Sequence, residues 1–178
     1  MNRVHLCCGD VYLKDYVNVD RVGSIAVREM PGTTLDQYYT HPVHENGEAK
    51  IDVWMDIEKE WLFPAEGVDE FVMISAFEHF SRESAEKIIE KVHTSLKYGG
   101  EFKFDFPDLK RTLDEYSADP EYMMRLIYGS QKNAGAFHRW GYTAESIYEK
   151  LKKHHWREIH LEPIVKHAYP MIGVRAVK

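Results

Sequence analysis

The sequence predicts an α/β fold with a doubly wound, mostly parallel sheet and a C-terminal antiparallel strand pair. Short apolar or alternating segments typical of β-strands recur along the chain. Several are separated by segments whose apolar residues recur every three to four positions, as in amphipathic helices. Strands that alternate with helices form a parallel sheet with helices on its faces. The last two strand-like segments, residues 157–164 and 171–178, follow one another without a helix, which predicts the antiparallel pair.

The first half of the chain is predicted to contain four strands and one long loop. Strands are predicted at residues 3–8 and 16–20, with a connection between them that is too short for a full crossover helix. Residues 21–47 contain several prolines and glycines and are predicted as loop with one or two helical turns. A third strand is predicted at residues 50–55, and a buried central strand at residues 69–76, where apolar residues dominate.

The second half is predicted to contain two helices and a further strand before the closing pair. Ser81 is a favourable N-cap for a helix with apolar residues at helical spacing, and the glycine pair at 99–100 is predicted to end that helix. The next strand is predicted at residues 101–106, with three phenylalanines on one face. Residues 107–140 are predicted to be irregular or partly helical, and Thr143 is predicted to cap the late helix.

Length and charge exclude several classes of protein. The chain has 178 residues, which fits a single domain over 1–178, and a formal net charge of −6. An acidic chain is a poor candidate for non-specific nucleic-acid binding or for an anionic membrane surface. The longest apolar run, residues 71–77, is far shorter than the roughly 20 residues of a membrane span. With no apolar stretch at the start for a signal peptide, we expect a cytoplasmic protein.

The two cysteines and ten histidines favour no metal site on sequence pattern alone. Cys7 and Cys8 are adjacent, and neighbours in a strand point to opposite faces, so they form a poor disulfide or metal pair. They are predicted to be small packing residues in a reducing compartment. None of the spacings HxxxH, HxH or CxxC occurs among the histidines and cysteines.

Three segments together suggest a family. Residues 6–20, LCCGDVYLKDYVNVD, form a strand–glycine loop–strand–acid element. Residues 68–109 contain a strand, the sequence EHF, a helix, a glycine pair and PDL in that order, and are the most specific segment. Residues 137–163, FHRWGYTAESIYEKLKKHHWREIHLEP, supply a late helix and strand. Together they resemble class I S-adenosylmethionine (SAM)-dependent methyltransferases, most closely the small methyltransferase type 11-like group.

The resemblance implies a Rossmann-like fold with SAM as cofactor, and methyl transfer to an oxygen or nitrogen of a small-molecule or sugar-like substrate. Gly9 would form the tight turn through which backbone amides approach the methionine portion of SAM. Asp20 would accept hydrogen bonds from the ribose hydroxyls, and Asp56 from the adenine amino group. The other cofactor-binding residues that the resemblance implies are Leu6, Cys7, Cys8, Ile57, Ser75 and Ala76.

The same resemblance places the substrate between two histidine-bearing segments. His79 follows the strand at 69–76, and His138 lies in the long connection 107–140. A histidine can take a proton from a hydroxyl or amine near neutral pH, so both are candidate catalytic residues. The alternative is that the Glu78-His79 pair merely orders a turn and His138 ties its loop to the domain. The candidate substrate-binding residues are Gln131, Asn133, Arg139 and Trp140.

The glycine loop departs from the family's pattern. Gly9 is the single glycine left, with Cys7 in the first glycine position and Val11 in the last, and His5 stands where an acid is frequent. The departures leave a second hypothesis open, a non-catalytic module of the same fold that binds SAM or S-adenosylhomocysteine. A nicotinamide-dependent oxidoreductase is disfavoured because no GxGxxG runs into a helix.

The start of the sequence bears on how a substrate pocket would be covered. The chain begins at the first strand, so we expect it to lack the N-terminal helices that many relatives use as a lid. Residues 21–47 and 107–140 would then build the pocket for a small-molecule substrate. A homo-oligomer or a partner protein could supply further cover.

Overall fold

The structure, a computed structural model, describes residues 2–25, 32–39 and 50–178. The strands in these ranges are β1 (Arg3–Leu6), β2 (Val17–Asp20), β3 (Ser24–Ile25), β4 (Lys50–Ile51), β5 (Val53–Trp54), β6 (Val68–Met73), β7 (Leu96–Pro107), β8 (Glu158–Leu161) and β9 (Met171–Val177). The α-helices are α1 (Arg82–Ser95), α2 (Leu109–Glu115), α3 (Pro120–Tyr128) and α4 (Ala144–Lys153). Single 3-10 turns cover Leu35–Gln37 and Phe77–His79.

One large sheet organises the molecule. Its seven strands have the order β5-β2-β1-β6-β7-β9-β8, and β3 pairs with β4 in a separate two-stranded sheet. The strands from β5 to β7 in that order run parallel, whereas β9 is antiparallel to β7 and β8. The predicted doubly wound, Rossmann-like sheet with a C-terminal antiparallel pair is thereby confirmed. Its strand order reverses between β1 and β6, and open α/β sheets bind ligands at the carboxyl ends of the strands on either side of such a reversal.

An aromatic core holds the edge of the sheet where the site forms. Phe102, Phe104 and Phe106 of β7 share one face, as predicted, and all three are fully buried. Phe77 is equally buried, and its ring centroid lies 4.8 Å from that of Phe104. This contact anchors the 3-10 turn Phe77–His79 against the sheet and so positions the polar residues that follow Phe77.

Side-chain caps begin the two predicted helices. The Ser84 amide donates to Ser81 Oγ at 3.1 Å, which starts α1. At the start of α4, Thr143 and Ser146 form a capping box in which each side chain accepts from the other residue's amide. Both predicted N-caps are therefore confirmed. The connection 107–140, predicted to be irregular or partly helical, contains α2 and α3.

The prediction that the glycine pair at 99–100 ends α1 is wrong. Helix α1 ends at Ser95, and β7 starts at once with Leu96. The physical reason is a bulge: β6 pairs Val68 with Leu96 but Glu70 with Glu101, so β7 carries extra residues. Gly99 has a φ of +76°, and a Cβ on Gly100 would lie 2.9 Å from the Lys97 carbonyl oxygen. These glycines therefore serve the bulge.

Other predicted boundaries shift where the chain turns. The strand predicted at 69–76 ends at Met73, because the following turn places Ser75 at a φ of +48°. The strand predicted at 50–55 splits into β4 and β5, which pair with different neighbours. Part of the predicted loop 21–47 lies outside the described residues. Across the ranges that are described, none of the helices is both long and apolar enough to cross a membrane.

Candidate active site

A pocket of about 870 Å³ opens at the carboxyl edge of the parallel strands. It lies beside the strand-order reversal, where the loops after β1, β2, β5 and β6 meet the connection that follows β7. Its volume is in the range of small-molecule and cofactor sites. Of the predicted site residues, eleven line it: Cys7, Gly9, Asp20, Asp56, Ile57, Ser75, Ala76, His79, Asn133, His138 and Arg139.

Four predicted residues lie outside this lining. Leu6, the last residue of β1, and Cys8, in the loop that follows, are both buried. Gln131 is exposed in the loop after α3, where its amide donates to the Ala136 carbonyl at 3.2 Å. Trp140 is exposed, with the Arg82 guanidinium 6.0 Å from its ring centroid.

The loop after β1 is shaped by two left-handed residues. Cys7 has a φ of +53° and Gly9 a φ of +56°. A residue with a Cβ is strained in this conformation by about 1–2 kcal/mol. A Cβ at Gly9 would meet no heavy atom within 4 Å, so the backbone conformation, and not crowding, requires glycine there.

Asp20 fastens this loop to the end of β2. Its Oδ2 accepts from the Gly9 amide at 2.9 Å, and its Oδ1 accepts from the Val22 amide at 3.0 Å. Each carboxylate oxygen retains a second lone pair. Asp20 is therefore held at the pocket wall with acceptor capacity left for a ligand that carries hydroxyl groups.

Asp56 occupies the corresponding position after β5. Its Oδ1 accepts from the Glu58 amide at 3.1 Å, and Lys59 Nζ lies 3.0 Å from Oδ2. Partial burial alone would raise the pKa of Asp56, but the Lys59 ammonium and the Glu58 amide hold that pKa below its ordinary value. Asp56 therefore presents a carboxylate to the pocket at neutral pH.

A strained turn leads from β6 to the opposite wall. The Ser75 amide donates to Asp105 Oδ1 at 2.7 Å, and the Tyr39 hydroxyl donates to Ser75 Oγ at 3.0 Å. Asp105 is buried and also pairs with His167 Nε2 at 2.7 Å. These contacts maintain the left-handed conformation of Ser75 and direct the chain into the turn Phe77–His79.

Glu78 is a buried carboxyl group in the pocket wall. Its side chain is 5% exposed, and its Oε2 has no hydrogen-bond partner. Burial raises the pKa of Glu78 to about 8. The sequence predicts Glu78 only as part of a turn-ordering pair, because nothing local in the sequence shows that residues 137–140 cover it. The coverage includes the Arg139 amide, which donates to the Glu78 carbonyl at 2.8 Å.

Two neutral imidazoles adjoin Glu78. His79 Nδ1 donates to the Phe137 carbonyl at 2.9 Å, and His138 Nδ1 donates to the Leu126 carbonyl at 2.9 Å. A carbonyl oxygen can only accept, so Nδ1 carries the hydrogen and Nε2 the lone pair in each ring. Burial lowers the pKa of both histidines, to about 4 for His138. Their ring centroids are 4.9 Å apart, edge to face.

Several further residues line the pocket but are not among the site residues predicted from the sequence. They are Arg21, Glu58, Tyr122, Arg125 and Tyr169. Arg139 forms an ion pair with Glu58, Nη1 to Oε1 at 3.3 Å, which links the loop after α3 to the segment after β5. Tyr122 and Arg125 belong to α3, so the helical part of the long connection, and not only its irregular part, builds the pocket.

Comparison with known proteins identifies the fold. No family model and no curated protein matches the sequence. A SAM-dependent methyltransferase from Archaeoglobus fulgidus is 11% identical at a TM-score of 0.57, with 99% of this chain and 86% of that chain covered. A possible histamine N-methyltransferase from Thermotoga maritima is 11% identical at a TM-score of 0.55, with 99% and 82% covered.

A third structure has a ligand bound. Human N-acetylserotonin methyltransferase in complex with SAM is 12% identical at a TM-score of 0.56, with 99% of this chain and 47% of that chain covered. The chain thus spans about half of the human enzyme and most of the archaeal and bacterial proteins. At these identities the similarity establishes the Rossmann-like methyltransferase fold, and the chemistry has to be argued from the pocket.

Proposed function

We propose that this protein binds SAM and transfers its methyl group to an oxygen or nitrogen of a small-molecule or sugar-like substrate. The observation that carries the proposal is the pocket at the strand-order reversal, where Asp20 at the end of β2 and Asp56 after β5 line the same space as the Gly9 loop. The fold supports the proposal because its structural neighbours include SAM-dependent methyltransferases, one of them with SAM bound. When bound, SAM supplies an activated methyl group on a sulfonium.

Asp20 and Asp56, which together with the Gly9 loop form the first wall of the pocket, suit the adenosine half of this cofactor. Asp20 is positioned by two backbone amides and keeps free lone pairs for the two ribose hydroxyls. Asp56 and the buried Ile57 offer a carboxylate and an apolar surface to an adenine ring. The Gly9 amide already donates to Asp20, so the loop contributes mainly by shaping the wall and fixing that carboxylate.

The second wall of the pocket, formed by Glu78, His79 and His138, suits the methyl acceptor. His79 and His138 are neutral and keep Nε2 free, so they can accept or hold a proton from a hydroxyl or amine. In the sequence, Ser75 and Ala76 come after Asp56 of the first wall and before Glu78 of the second. Both residues line the same pocket. Placing both reactants in one enclosed pocket favours transfer through orientation and exclusion of water.

A specific observation supports the alternative of a non-catalytic SAM-binding module. Cys7 adopts the left-handed conformation at the position where the family has its first glycine. Its side chain adds bulk and backbone strain to the loop that would lie against the cofactor. A loop of this kind could bind the cofactor without placing the methyl group for transfer.

Two measurements test the proposal. Calorimetric titration with SAM, S-adenosylhomocysteine and NAD is expected to show binding of the first two only. Incubation with methyl-labelled SAM and panels of hydroxyl- and amine-bearing small molecules is expected to give a labelled product. Absence of SAM and S-adenosylhomocysteine binding would overturn both hypotheses, whereas binding without transfer to any acceptor would support the non-catalytic module.

A further inference from the structure

Three side chains with metal-ligating atoms converge in one wall of the pocket. Glu78, His79 and His138 each offer one such atom, and these atoms all lie within 4.8 Å of one another. The turn after β6 supplies the first two, and the loop after α3 supplies the third. In the part of the chain that the structure describes, this is the one group of three such residues so closely spaced.

The hydrogen bonds of the two histidines prepare them as ligands. Both donate Nδ1–H to a backbone carbonyl, Phe137 for His79 and Leu126 for His138. Metal-binding histidines in proteins characteristically donate their other ring N–H to a carbonyl or carboxylate, which fixes the tautomer and the ring orientation. The arrangement leaves the Nε2 lone pair of each ring without a hydrogen-bond partner among the contacts of the described residues.

Glu78 supplies an independent indication that this wall can bind a cation. Its carboxyl group is nearly fully buried, yet Oε2 has no hydrogen-bond partner and no lysine or arginine of the described residues pairs with it. Oε1 lies 3.9 Å from His138 Nε2, beyond hydrogen-bond distance. A buried carboxyl oxygen without a hydrogen-bond partner is costly, and such atoms are normally paired or bound to a metal.

We propose that Glu78, His79 and His138 bind a divalent transition-metal ion, with Zn²⁺ as the best match, and leave a coordination position open toward the pocket. Two imidazole nitrogens and one carboxylate oxygen are a ligand set found in catalytic zinc sites, where a fourth position remains for water or substrate. Magnesium is disfavoured because it prefers oxygen ligands.

The three ligand atoms, which lie within 4.8 Å of one another, must move closer together to bind one ion. With bonds of about 2.0–2.1 Å in tetrahedral geometry, neighbouring ligand atoms lie about 3.4 Å apart. The 3.9 Å between His138 Nε2 and Glu78 Oε1 is about half an ångström longer. The other separations are at most 4.8 Å, so metal binding requires the three side chains to draw together by up to about 1.4 Å.

Metal binding at this site goes beyond the proposed function and does not depend on it, because none of the three ligands belongs to the Asp20 and Asp56 wall. The open position would let the ion hold an oxygen- or nitrogen-bearing molecule in the pocket as a Lewis acid. In a methyltransferase, the two histidines would then orient the acceptor through the metal, and not by taking its proton themselves.

The test is a metal titration of the untagged, chelator-treated chain without any cofactor. Calorimetry with zinc chloride is expected to show one ion per chain, and cobalt chloride to produce visible absorption bands of a four- or five-coordinate site. Magnesium chloride is expected to give no binding signal. Glu78→Gln, which keeps the size of the side chain, and His138→Gln are each expected to weaken zinc binding at least tenfold.

Matched controls exclude other zinc ligands. His160→Gln removes a partly exposed histidine that also lies beside a glutamate, Glu158 at 3.4 Å, and is expected to leave zinc affinity unchanged. A Cys7→Ser, Cys8→Ser double variant is expected to retain the stoichiometry and to show that thiolates are not ligands.

The proposal is overturned if the parent chain binds no zinc, if the thiol variant loses the ion, or if Glu78→Gln binds as tightly as the parent. Circular dichroism establishes that each variant is folded, and Glu78→Gln alone decides the matter if His138→Gln does not fold. Since no SAM is present, a failure to bind SAM leaves this result unaffected.

Discussion

The two walls of the pocket differ in how completely their polar groups are satisfied. On the β1–β2 side, both oxygens of Asp20 accept hydrogen bonds from backbone amides of the same loops. On the β6 side, Glu78 is buried with one oxygen unpartnered, and two imidazoles keep free lone pairs. The carboxylate of the first wall is thus hydrogen-bonded within the folded chain. In the second wall, Glu78 Oε2 and the two imidazole nitrogens gain partners only when a ligand binds.

This difference indicates which wall gains more free energy when a ligand binds. An unsatisfied buried polar group costs about 1–3 kcal/mol, so a ligand that satisfies Glu78 recovers that free energy on binding. The Asp20 wall has no such deficit and acts as a preformed surface. The following predictions test this contrast, from the largest expected effect to the smallest.

Removal of the aromatic anchor beneath the second wall should have the largest effect. Phe77 is fully buried, and Phe77→Ala is expected to lower the free energy of unfolding by about 3–5 kcal/mol, because it leaves a cavity beside Phe104. Urea denaturation measures the loss. Val22→Ala, an exposed change at the first wall, is expected to stay within about 0.5 kcal/mol. A loss below about 1 kcal/mol for Phe77→Ala would show that the turn does not depend on this anchor.

Acid should destabilise the protein through His5, which lies in β1 beneath the first wall. Its ring accepts from the Tyr38 hydroxyl at Nε2 and contacts Asn18 Oδ1 at Nδ1. Burial lowers the pKa of His5 to about 4, so the folded chain keeps it neutral while the unfolded chain protonates it below about pH 6.5. Protonation of His5 therefore leaves the free energy of unfolding unchanged above about pH 6.5. As the pH drops from 6.5 to 4, the unfolded chain takes up this proton first, and the free energy of unfolding falls.

Comparison with His5→Gln isolates this contribution. Between pH 7.5 and pH 4.5 the parent is expected to lose about 2–3 kcal/mol more than the variant, as measured by denaturation at both pH values. Equal losses in the two proteins would show that His5 is protonated in the folded state or contributes nothing to acid sensitivity.

Asp20 should matter for cofactor binding. Asp20→Ala is expected to weaken S-adenosylhomocysteine binding by about 1.5–3 kcal/mol, since charge-assisted hydrogen bonds to the ribose are lost. Calorimetry measures the change, and Asp10→Ala, at an exposed acid in the loop after β1, serves as the control. If Asp20→Ala binds as tightly as the parent, the first wall does not hold the ribose.

The smallest effect is expected at Gly9. Gly9→Ala should destabilise the protein by about 1 kcal/mol, because φ is +56° and alanine is strained there while no neighbouring atom is crowded. Gly9→Asn should cost less, because asparagine tolerates the left-handed region better. Thermal denaturation distinguishes the two variants. Equal stability of Gly9→Ala and the parent would show that the loop adjusts its backbone.

Features with local causes could be predicted from the sequence. Ser81 and Thr143 cap helices through contacts within one turn, and Asp20 is recognisable as an acid at the end of a short strand. The parallel sheet follows from the alternation of strands and helices. These signals depend on residues close in sequence, so one chain is enough to detect them.

Features that depend on contacts between residues far apart in the sequence could not be predicted. The glycine pair at 99–100 resembles a helix end, and only the register between β6 and β7 reveals the bulge. Glu78 resembles a surface residue until the loop carrying His138 and Arg139 covers it. The convergence of Glu78, His79 and His138 likewise arises from packing, because the two histidines are far apart in the chain and match no ligand motif.

The ion pair between Arg139 and Glu58 joins two segments that line the pocket. Both side chains are partly exposed, and such pairs contribute only about 0–1 kcal/mol in water. Thermal fluctuation therefore separates the two sides frequently without disturbing the sheet. Dissolved salt screens their attraction further, so the link between these two pocket-lining segments weakens as the ionic strength rises.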